Sequence, residues 1–232
     1  MNFRGLELCC PHCRGELEFS AEEQIACLGC ARRFPIVAGI PDLRVFAGTP
    51  LSIEEDTERA RQLAQKFDEL NFEAMVDYYF SLSTVVPPHH RAAYKRGLMA
   101  AVPRTRAWLE SWEAASAEAT AAPLAKDSMA EPETRGPLLE IGCGAAGLLV
   151  AAEKYPQRAG VDIALRWLVV GKRRLADAGM DAPLVCACAE ALPFREEQFA
   201  RVVFDSTLEM VTGQQRALLE ARRVLVPGGR IF

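Results

Sequence analysis

The sequence predicts an α/β fold in which a parallel β-sheet, in the second half of the chain, follows a small cysteine-rich module and a helical segment. Three observations support this prediction. From Pro137 onward, short apolar runs alternate with longer helical patterns, which is typical of βαβ units. Three glycines, Gly142, Gly144 and Gly147, follow the first of these apolar runs. Two Cys-x-x-Cys pairs stand near the N-terminus.

The composition indicates a soluble protein with one or two globular units. Of its 232 residues, 50% are hydrophobic, which is enough for a main core and a small additional domain. The net charge of −4 excludes a global positive field that would attract nucleic acid or an anionic membrane. The N-terminus lacks the pattern of an export signal, and no stretch is apolar for the length of a bilayer crossing. We therefore expect a cytoplasmic protein that makes no membrane contact.

Composition divides the chain into four regions. The predicted boundaries are a cysteine-rich module at 1–45, a helical cap or connector at 51–112, a linker at 113–136 and the α/β domain at 137–232. The third region has few large apolar side chains, so it is predicted to be a linker or a weakly packed helix. The chain ends as a fifth strand begins, and we expect the sheet to be incomplete on that side.

Helical periodicity dominates the second region. Apolar side chains recur at three- and four-residue spacing from Ala60 to Leu70. Pro87 and Pro88 interrupt the pattern, and a second helix is predicted over about 91–101. Five aromatic residues allow two interpretations, a buried core or a lid over an acceptor site: Phe72, Tyr78, Tyr79, Phe80 and Tyr94.

Four cysteines have the spacing of a structural metal site. They form two tight turns that can direct four thiolates at one point: Cys10, Cys13, Cys27 and Cys30. A tetrahedral four-sulfur shell is typical of structural zinc and leaves no open position for water or substrate. The alternative is four buried thiols without a metal. Cys9 and His12 do not extend either pair at a suitable spacing, so we predict that neither binds the ion.

The segments CPHCRGELEF and CLGCARRFPIVAGIPDL resemble the zinc ribbon of a small activator protein that partners methyltransferases acting on tRNA and on protein. A similar ribbon precedes the methyltransferase domain of certain bacterial ribosomal-RNA guanine methyltransferases. The resemblance implies structural Zn²⁺ and, as partners, RNA or another protein that binds through the ribbon. Basic and acidic side chains balance over residues 1–50, which argues against a phosphate-binding stripe.

The glycine motif alone fits two kinds of ligand. Its spacing after an apolar strand is also the fingerprint of dinucleotide-binding folds, and Asp162 lies where a carboxylate that binds a ribose diol is expected. Glu140, two residues before Gly142, distinguishes the alternatives. A carboxylate near the strand end suits a methionine amino group and a sulfonium better than a pyrophosphate.

Three further motifs follow in order: AEALPF from Ala189, FARVVFDSTLEMV from Phe199 and VLVPGGRIF from Val224. With LLEIGCGAAG they resemble class I S-adenosylmethionine-dependent methyltransferases of the type 11 group, over residues 138–232. The resemblance implies a Rossmann-like sheet and S-adenosylmethionine as the cofactor. The predicted strands are Leu138 to Ile141, Ala159 to Asp162, Pro183 to Cys186, Arg201 to Phe204, and a last one beginning at Arg230.

Carried over position by position, the resemblance implies a set of cofactor-binding residues. Glu140, Gly142 and Gly144 would line the methionine moiety, and Gly147 would let the next helix pack closely. Asp162 would accept hydrogen bonds from the ribose hydroxyls, and its alternative role is the N-cap of a helix. The remaining implied contacts are Ala189 and Glu190 beside the adenine, Leu192 and Phe194 as apolar walls, and Ser206 after the fourth strand.

Two positions depart from the family pattern. The family has an acidic residue just before the AEALPF stretch to receive the adenine amino group, and this chain has Cys188 there. A thiol is a poor substitute for that carboxylate. The fourth strand of the family opens with Phe-Asp, whereas this chain has Phe199 followed by Ala200. Both departures favour impaired cofactor binding.

The sequence favours an S-adenosylmethionine-dependent methyltransferase that acts on a small metabolite. The alternatives are an RNA-directed methyltransferase, and a cofactor-impaired binding or regulatory module. Methyl transfer from a sulfonium depends on alignment, so a catalytic base is not required and none is evident. If the acceptor must lose a proton, the candidates are Glu209, His89 and His90, with exposed helix or turn positions as the alternative for the histidines.

Overall fold

The computed structural model describes residues 1–20, 23–48, 50–120 and 136–232. An N-terminal module of short antiparallel strands comes first, followed by a helical segment and an α/β domain. The strands of the module are β1 (Asn2–Phe3), β2 (Leu6–Glu7), β3 (Leu17–Phe19), β4 (Gln24–Cys27), β5 (Arg33–Val37) and β6 (Ile40–Pro41). The helices of the segment are α1 (Ile53–Gln65), α2 (Phe72–Leu82), α3 (Pro88–Met99) and α4 (Ala101–Thr120).

The α/β domain contains a five-stranded sheet. Its elements are β7 (Leu138–Ile141), α5 (Gly147–Ala151), β8 (Arg158–Asp162), α6 (Leu165–Asp177), β9 (Leu184–Cys186), β10 (Phe199–Val203), α7 (Gln214–Val224) and β11 (Leu225–Ile231). All strands are parallel, in the order β11-β10-β7-β8-β9. The first strand is central and later strands are added on either side of it, which is a doubly wound, Rossmann-like arrangement. The predicted fold class is confirmed.

The fifth strand begins earlier than predicted. It pairs with β10 already at Leu225, before the Pro-Gly-Gly sequence, and resumes regular pairing at Arg230. The register shifts between these two points, because the partner residues on β10 are Phe199 and Arg201. The prediction was wrong because Pro-Gly-Gly is an irregularity within the strand and not a turn that precedes it.

Side chains of the sheet alternate between two apolar faces, as the pleat requires. One face packs against α5 and α6, and its sheet members are Leu138, Leu184, Cys186 and Val203. The opposite face packs against α7 and against the N-terminal module, and its sheet members are Leu139, Ile141, Ala159, Val161, Val185 and Val202. The N-terminal module is therefore part of the main core and not a separate body.

The helical segment forms an outer layer on the α5 and α6 side. Helix α1 packs on α6, α2 packs on the same helix, and α4 packs on α5. A capping box begins α1, in which the amide of Glu55 donates to Ser52 Oγ and the amide of Ser52 donates to the Glu55 carboxylate. Pro88 occupies the first turn of α3. A backbone N–H at this position has no acceptor within the helix, so the proline loses no helical hydrogen bond.

Helix α4 continues beyond the predicted helical region. It extends to Thr120, so the first part of the predicted linker is helical, and residues 121–135 of that linker lie outside the described residues. In the described ranges of the chain, no helix combines the length and the apolar composition that a membrane crossing requires.

The N-terminal module is joined to the parallel sheet through its last strand. Strands β3 to β6 form an antiparallel sheet, and β3 and β4 make the hairpin that separates the two cysteine pairs. Beyond β6, the amide of Leu43 donates to the Cys186 carbonyl at 2.7 Å, and Asp42 pairs in parallel with Cys186. This pairing covers part of the free edge of β9.

Polar contacts fix the module against α7 and the loop before β10. Arg14 donates to the Leu192 carbonyl at 2.5 Å and to Glu220 Oε2 at 2.6 Å. Arg223 and the Leu192 amide donate to the same Glu220 oxygen, each at 2.9 Å. Glu220 is therefore the acceptor through which the module, α7 and the loop are joined.

We expect Glu220→Gln to destabilise the protein by about 1–3 kcal/mol in urea unfolding, because it removes the charged acceptor for two arginines. Burial opposes ionisation, but the bonds from Arg223 and Arg14 hold the pKa of Glu220 below its ordinary value of 4.5. The carboxylate therefore stabilises the fold above pH 4.5, and this stabilisation is lost as the pH falls through the lowered folded-state pKa.

The control is Glu58→Gln, since Glu58 is 60% exposed and pairs only loosely with Arg61. That change should alter stability by less than about 0.5 kcal/mol. Equal stabilities of the two variants at neutral pH would show that Glu220 does not fix the module to the domain.

Candidate functional site

A cleft of about 470 Å³ opens at the carboxyl edge of the parallel sheet. This edge is where ligands of doubly wound folds bind. The residues that line it are Phe46, Ala47, Gly48, Ile141, Gly142, Val161, Asp162, Ile163, Trp167, Ala187, Ala189, Glu190, Ser206, Thr207, Met210, Val211 and Thr212. Five predicted cofactor contacts are among them: Gly142, Asp162, Ala189, Glu190 and Ser206.

The glycine loop after β7 brings backbone atoms to the floor of the cleft. Gly142 has φ +79°, and a Cβ there would lie 2.1 Å from Thr207 Oγ1. Thr207 in turn donates to the Gly142 carbonyl at 3.3 Å. Gly144 has φ +47°, a left-handed conformation that costs other residues free energy. A side chain at Gly142 is therefore excluded by both conformation and space.

Asp162 connects the loop after β7 with the loop after β8. The amide of Gly144 donates to its Oδ2 at 2.8 Å, and the amide of Ala164 donates to its Oδ1 at 2.7 Å. Burial raises the pKa of this carboxyl group, and the two amide bonds oppose the rise. Asp162 is not the N-cap of α6, because Ala164 holds that position and Asp56 accepts the Leu165 amide.

Glu140 lies at the end of β7 and is 4% exposed. Its Oε2 has no hydrogen-bond partner among the described residues. Burial, followed by the negative charges of Asp205 and Asp162, raises the pKa of Glu140 well above its ordinary value. Glu140 and Gly144 are not among the residues that line the cleft, but each is next but one in the sequence to the lining residue Gly142. A cationic ligand group near this buried carboxyl group would stabilise its charged form.

The loops after β9 and β10 form the opposite wall. Glu190 accepts a bond from the Gly213 amide at 3.1 Å, which ties the short turn Ala189–Ala191 to the start of α7. Ser206 has φ +53° and donates to Asp205. Cys188 is fully buried and its thiol donates to the Phe46 carbonyl at 3.6 Å. The thiol is therefore turned toward the chain segment that leaves the N-terminal module.

Several residues of the cleft could not be predicted from local motifs. The segment Phe46–Gly48 reaches the cleft from the module, about a hundred positions before the glycine loop. Trp167 projects from α6, and Met210 stands on the rim and is 80% exposed. Thr207 lies within the motif that begins at Phe199, but the motif does not show that the Thr207 side chain packs against Gly142. Tertiary packing, and not sequence spacing, brings these residues together.

Other predicted residues lie elsewhere. Gly147 packs under α4, where a Cβ would lie 2.9 Å from that of Ala101, which agrees with its expected packing role. Glu209 is exposed in a short turn, and His89 and His90 are exposed at the start of α3. None of these four lines the cleft.

The predicted apolar and aromatic walls are core residues. Leu192 and Phe194 are fully buried against the N-terminal module and do not reach the cleft. Phe72, Tyr79 and Phe80 are buried against α6 and its neighbours, Tyr78 packs on the same cluster and Tyr94 is exposed. Of the two interpretations of the aromatic run, the structure supports a core for the buried members.

The two departures from the family pattern differ in position. Ala200 lies at the start of β10, and its amide donates to the Pro137 carbonyl before β7. The strands are parallel, so this is the end of the sheet opposite the cleft. Cys188, in contrast, stands at the carboxyl end of β9, directly before a cleft residue. Only Cys188 bears on the cofactor cleft.

The four predicted metal-ligating sulfur atoms converge. Those of Cys10, Cys13, Cys27 and Cys30 all lie within 4.8 Å of one another. Two of the separations are 3.7 Å and 3.5 Å, close to the roughly 3.8 Å expected between sulfurs bound tetrahedrally to zinc at about 2.3 Å. A Cβ on Gly15 would lie 3.1 Å from Cys13 Sγ. The turn therefore leaves room only for glycine beside the sulfurs.

The thiols of the cluster differ in how readily they ionise, since burial raises the pKa of Cys10 to about 12 whereas the pKa of Cys27 is lowered. Burial opposes ionisation of Cys27, but hydrogen bonds from the Cys30 amide and the Cys13 thiol outweigh it and lower the Cys27 pKa to about 7. Cys9 points away and donates to the Phe194 carbonyl at 3.3 Å. His12 packs beside Phe34 and is outside the cluster. The described cluster consists of the four cysteines that the spacing predicts.

We expect Glu140→Gln to stabilise the unliganded protein at alkaline pH. Because the folded-state pKa is raised above 4.5, the unfolded carboxyl group ionises at a lower pH than the folded one, so wild-type stability falls as the pH rises from 4.5 toward the raised pKa. The variant lacks this dependence and should be more stable by on the order of 1–3 kcal/mol at pH 8, measured by urea unfolding. Glu153→Gln, at an exposed carboxylate, is the control. A wild-type pH profile parallel to that of Glu140→Gln would contradict the burial argument.

Comparison with known proteins identifies the domain that contains the cleft. Residues 139–232 match the family model described as a methyltransferase domain. A ubiquinone/menaquinone biosynthesis C-methyltransferase UbiE from Bordetella avium is 40% identical over 102 residues, which are 41% of this chain and 39% of that protein. The UbiE protein of Burkholderia mallei is 37% identical over 101 residues, 42% of each chain. The chain thus spans about two fifths of the length of these curated relatives.

Solved structures are similar over the same part of the chain. The YcgJ protein from Bacillus subtilis is 26% identical, with a TM-score of 0.40, over 43% of this chain and 44% of that one. The fold is assigned from the strand order of the parallel sheet. The match of residues 139–232 to a methyltransferase domain supports the enzyme class predicted from the glycine loop and the later motifs.

Proposed function

We propose that the protein transfers a methyl group from S-adenosylmethionine, bound in the cleft at the carboxyl edge of the sheet, to a small acceptor molecule. The observation that carries this proposal is the buried carboxyl group of Glu140 beside the glycine loop, whose Oε2 has no hydrogen-bond partner among the described residues. A carboxyl group in this setting is stabilised by a cation, and the methionine end of the cofactor carries a cationic amino group.

The residues in and beside the cleft fit this cofactor. Glu140 and the glycine loop would hold the methionine end, where Gly142 and Gly144 present backbone without side chains. Asp162 would accept bonds from the ribose hydroxyls, since its two amide bonds leave further lone pairs on each oxygen. Ala189 would lie beside the adenine.

The bound cofactor would supply a methyl group on a positively charged sulfur, which is the electrophile of the reaction. The protein's own contribution is to align the acceptor and exclude water. Of the described residues that line the cleft, Asp162 and Glu190 are the ionisable ones. Asp162 is bonded to two amides and Glu190 to one, so neither is assigned as a base.

The rim of the cleft favours an apolar acceptor. Met210 is 80% exposed, and Trp167 and Val211 add apolar side chains to the margin. Exposed apolar side chains around a concave site are typical of ligand contact. The curated relatives are named for ubiquinone and menaquinone biosynthesis. We infer a small acceptor with an apolar or aromatic body.

We further propose that Cys10, Cys13, Cys27 and Cys30 hold one structural Zn²⁺. The convergence of their sulfur atoms supports a four-thiolate shell. All eight cysteines are free thiols, which supports a reducing, cytoplasmic compartment. Binding of RNA or of another protein through the module stays a prediction from the sequence.

The cofactor proposal predicts that the zinc-loaded chain binds S-adenosylhomocysteine with micromolar affinity in calorimetry. Asp162→Asn removes the charge that faces the ribose and should weaken binding about tenfold. Asp181→Asn, at a carboxylate that is 78% exposed and remote from the lining residues, should not change it. Absence of wild-type binding at millimolar ligand would refute the proposal and support the cofactor-impaired module. Cofactor binding together with salt-sensitive binding of structured RNA would instead support the RNA-directed alternative.

The metal proposal predicts about one zinc ion per chain by elemental analysis. Cys13→Ser should lose the metal and lower the melting temperature of the whole chain, because the module shares its core with the sheet. Cys9→Ser is the matched control, since the Cys9 thiol bonds to a carbonyl outside the cluster. Metal-free wild-type protein, prepared without chelator, would contradict the assignment.

A further inference from the structure

We propose that the exit segment, defined as residues 43–48, forms the base-side wall of the cofactor cleft, with Phe46 as the aromatic surface on which the adenine stacks. This inference rests on the proposed function. It assigns part of cofactor recognition to a segment outside the matched methyltransferase domain, which begins at residue 139.

The exit segment is fixed at its start by the parallel sheet. The amide of Leu43 donates to the carbonyl of Cys186, the last residue of β9, at 2.7 Å. Leu43 is itself fully buried in the core shared by the module and the sheet. The segment therefore leaves the sheet at the carboxyl end of β9, which is the edge where the cleft opens.

A buried ion cluster holds the next residues. Arg44 is 6% exposed and donates to Asp42 Oδ1 at 2.8 Å and Oδ2 at 2.5 Å. It also donates to Asp56 of α1 at 2.7 Å and to the carbonyl of Ile163, which follows β8, at 3.2 Å. Arg44 contacts both carboxylate oxygens of Asp42 and has further acceptors on α1 and after β8. It therefore fixes the exit segment against the chain that follows Asp162.

The following residues bridge the ends of β8 and β9. The Phe46 carbonyl accepts the Cys188 thiol, which follows β9. Gly48 lies against Ile163, and a Cβ on this glycine would lie 3.0 Å from Ile163 Cγ2. The exit segment thus lies across the carboxyl ends of β8 and β9. It is on the opposite side of Asp162 from the glycine loop.

This position corresponds to the base of the cofactor. If the methionine end lies at Glu140 after β7 and the ribose at Asp162 after β8, the adenine must extend toward β9. The wall there consists of Ile163, Ala187 and Ala189, with Phe46 to Gly48 beside them. A flat, apolar slot of this kind suits a base, because stacking needs only the π-face.

Phe46 has the properties of a stacking surface. Its side chain is 43% exposed although the backbone around it is held tightly, and its ring has no aromatic neighbour among the described residues. The Cys188 thiol is engaged with the Phe46 carbonyl and is a weak donor and acceptor. We therefore expect the site to recognise the plane of the base more strongly than its 6-amino group.

Calorimetry with S-adenosylhomocysteine tests the wall directly. Phe46→Ala should weaken binding roughly tenfold or more, the range measured for loss of a base-stacking aromatic, and Phe46→Trp should retain wild-type affinity within about threefold. Phe19→Ala removes an aromatic side chain of the module that is 52% exposed and outside the cleft lining, so it should leave affinity unchanged within about twofold. Melting curves establish that each variant is folded.

The outcomes separate this inference from the proposed function. If the wild type binds the ligand and Phe46→Ala binds it equally well, the assignment of Phe46 to the base-side wall is overturned, but the cofactor site is not. If the wild type does not bind the ligand, the cofactor site itself is refuted. S-inosylhomocysteine, which has an oxygen in place of the 6-amino group, should bind within about threefold of S-adenosylhomocysteine. A preference of more than about tenfold for the amino form would overturn recognition by stacking.

Discussion

A parallel sheet must be covered on both faces, and the second face of this sheet is covered by the N-terminal module. Between β9 and β10 the chain forms only the turn Ala189–Ala191, so α7 is the one helix of the domain that packs on this side among the described residues. The module's Leu8, Leu17 and Ile25 are fully buried in the same cluster as Val161 and Val202 of the sheet. Without the module, this apolar face would meet water. The cysteine-rich region therefore supplies much of the cover on this face of the sheet.

This constraint connects two sites that the sequence presents as separate. A metal ion held by the cysteines would order the turns around β3 to β5, and these strands supply the apolar side chains that meet the sheet. The same docking places the exit segment at the cofactor cleft through Arg44. Binding at either site would then stabilise the same folded state, so metal binding and cofactor binding would be coupled without a conformational switch.

The features that the sequence predicts correctly are local. Apolar periodicity identifies four strands within two residues of their bounds, the glycine spacing identifies the loop, and the cysteine spacing identifies the cluster. The errors have tertiary causes. The last strand was predicted to begin only at Arg230, because the pairing of Leu225 with Phe199 is not visible in sequence. Phe194 was interpreted as a cleft wall, but it is paired with Leu8 of the module, 186 positions away. No local pattern contains such contacts.

The buried carboxyl group of Glu140 bears on the choice between the two ligands that fit the glycine spacing. The nearest cationic side chain that lowers its pKa is Arg174, which is engaged with the carbonyls of Ala145 and Leu98 and lies over the Phe72 ring. That arginine does not supply a partner for the free Oε2. A pyrophosphate at this loop would add negative charge beside Glu140, Asp162 and Asp205 and would raise the free energy of all three carboxylates. A cationic ammonium group would lower it. The charge of the site therefore supports a methionine-bearing cofactor over a dinucleotide, independently of the later motifs.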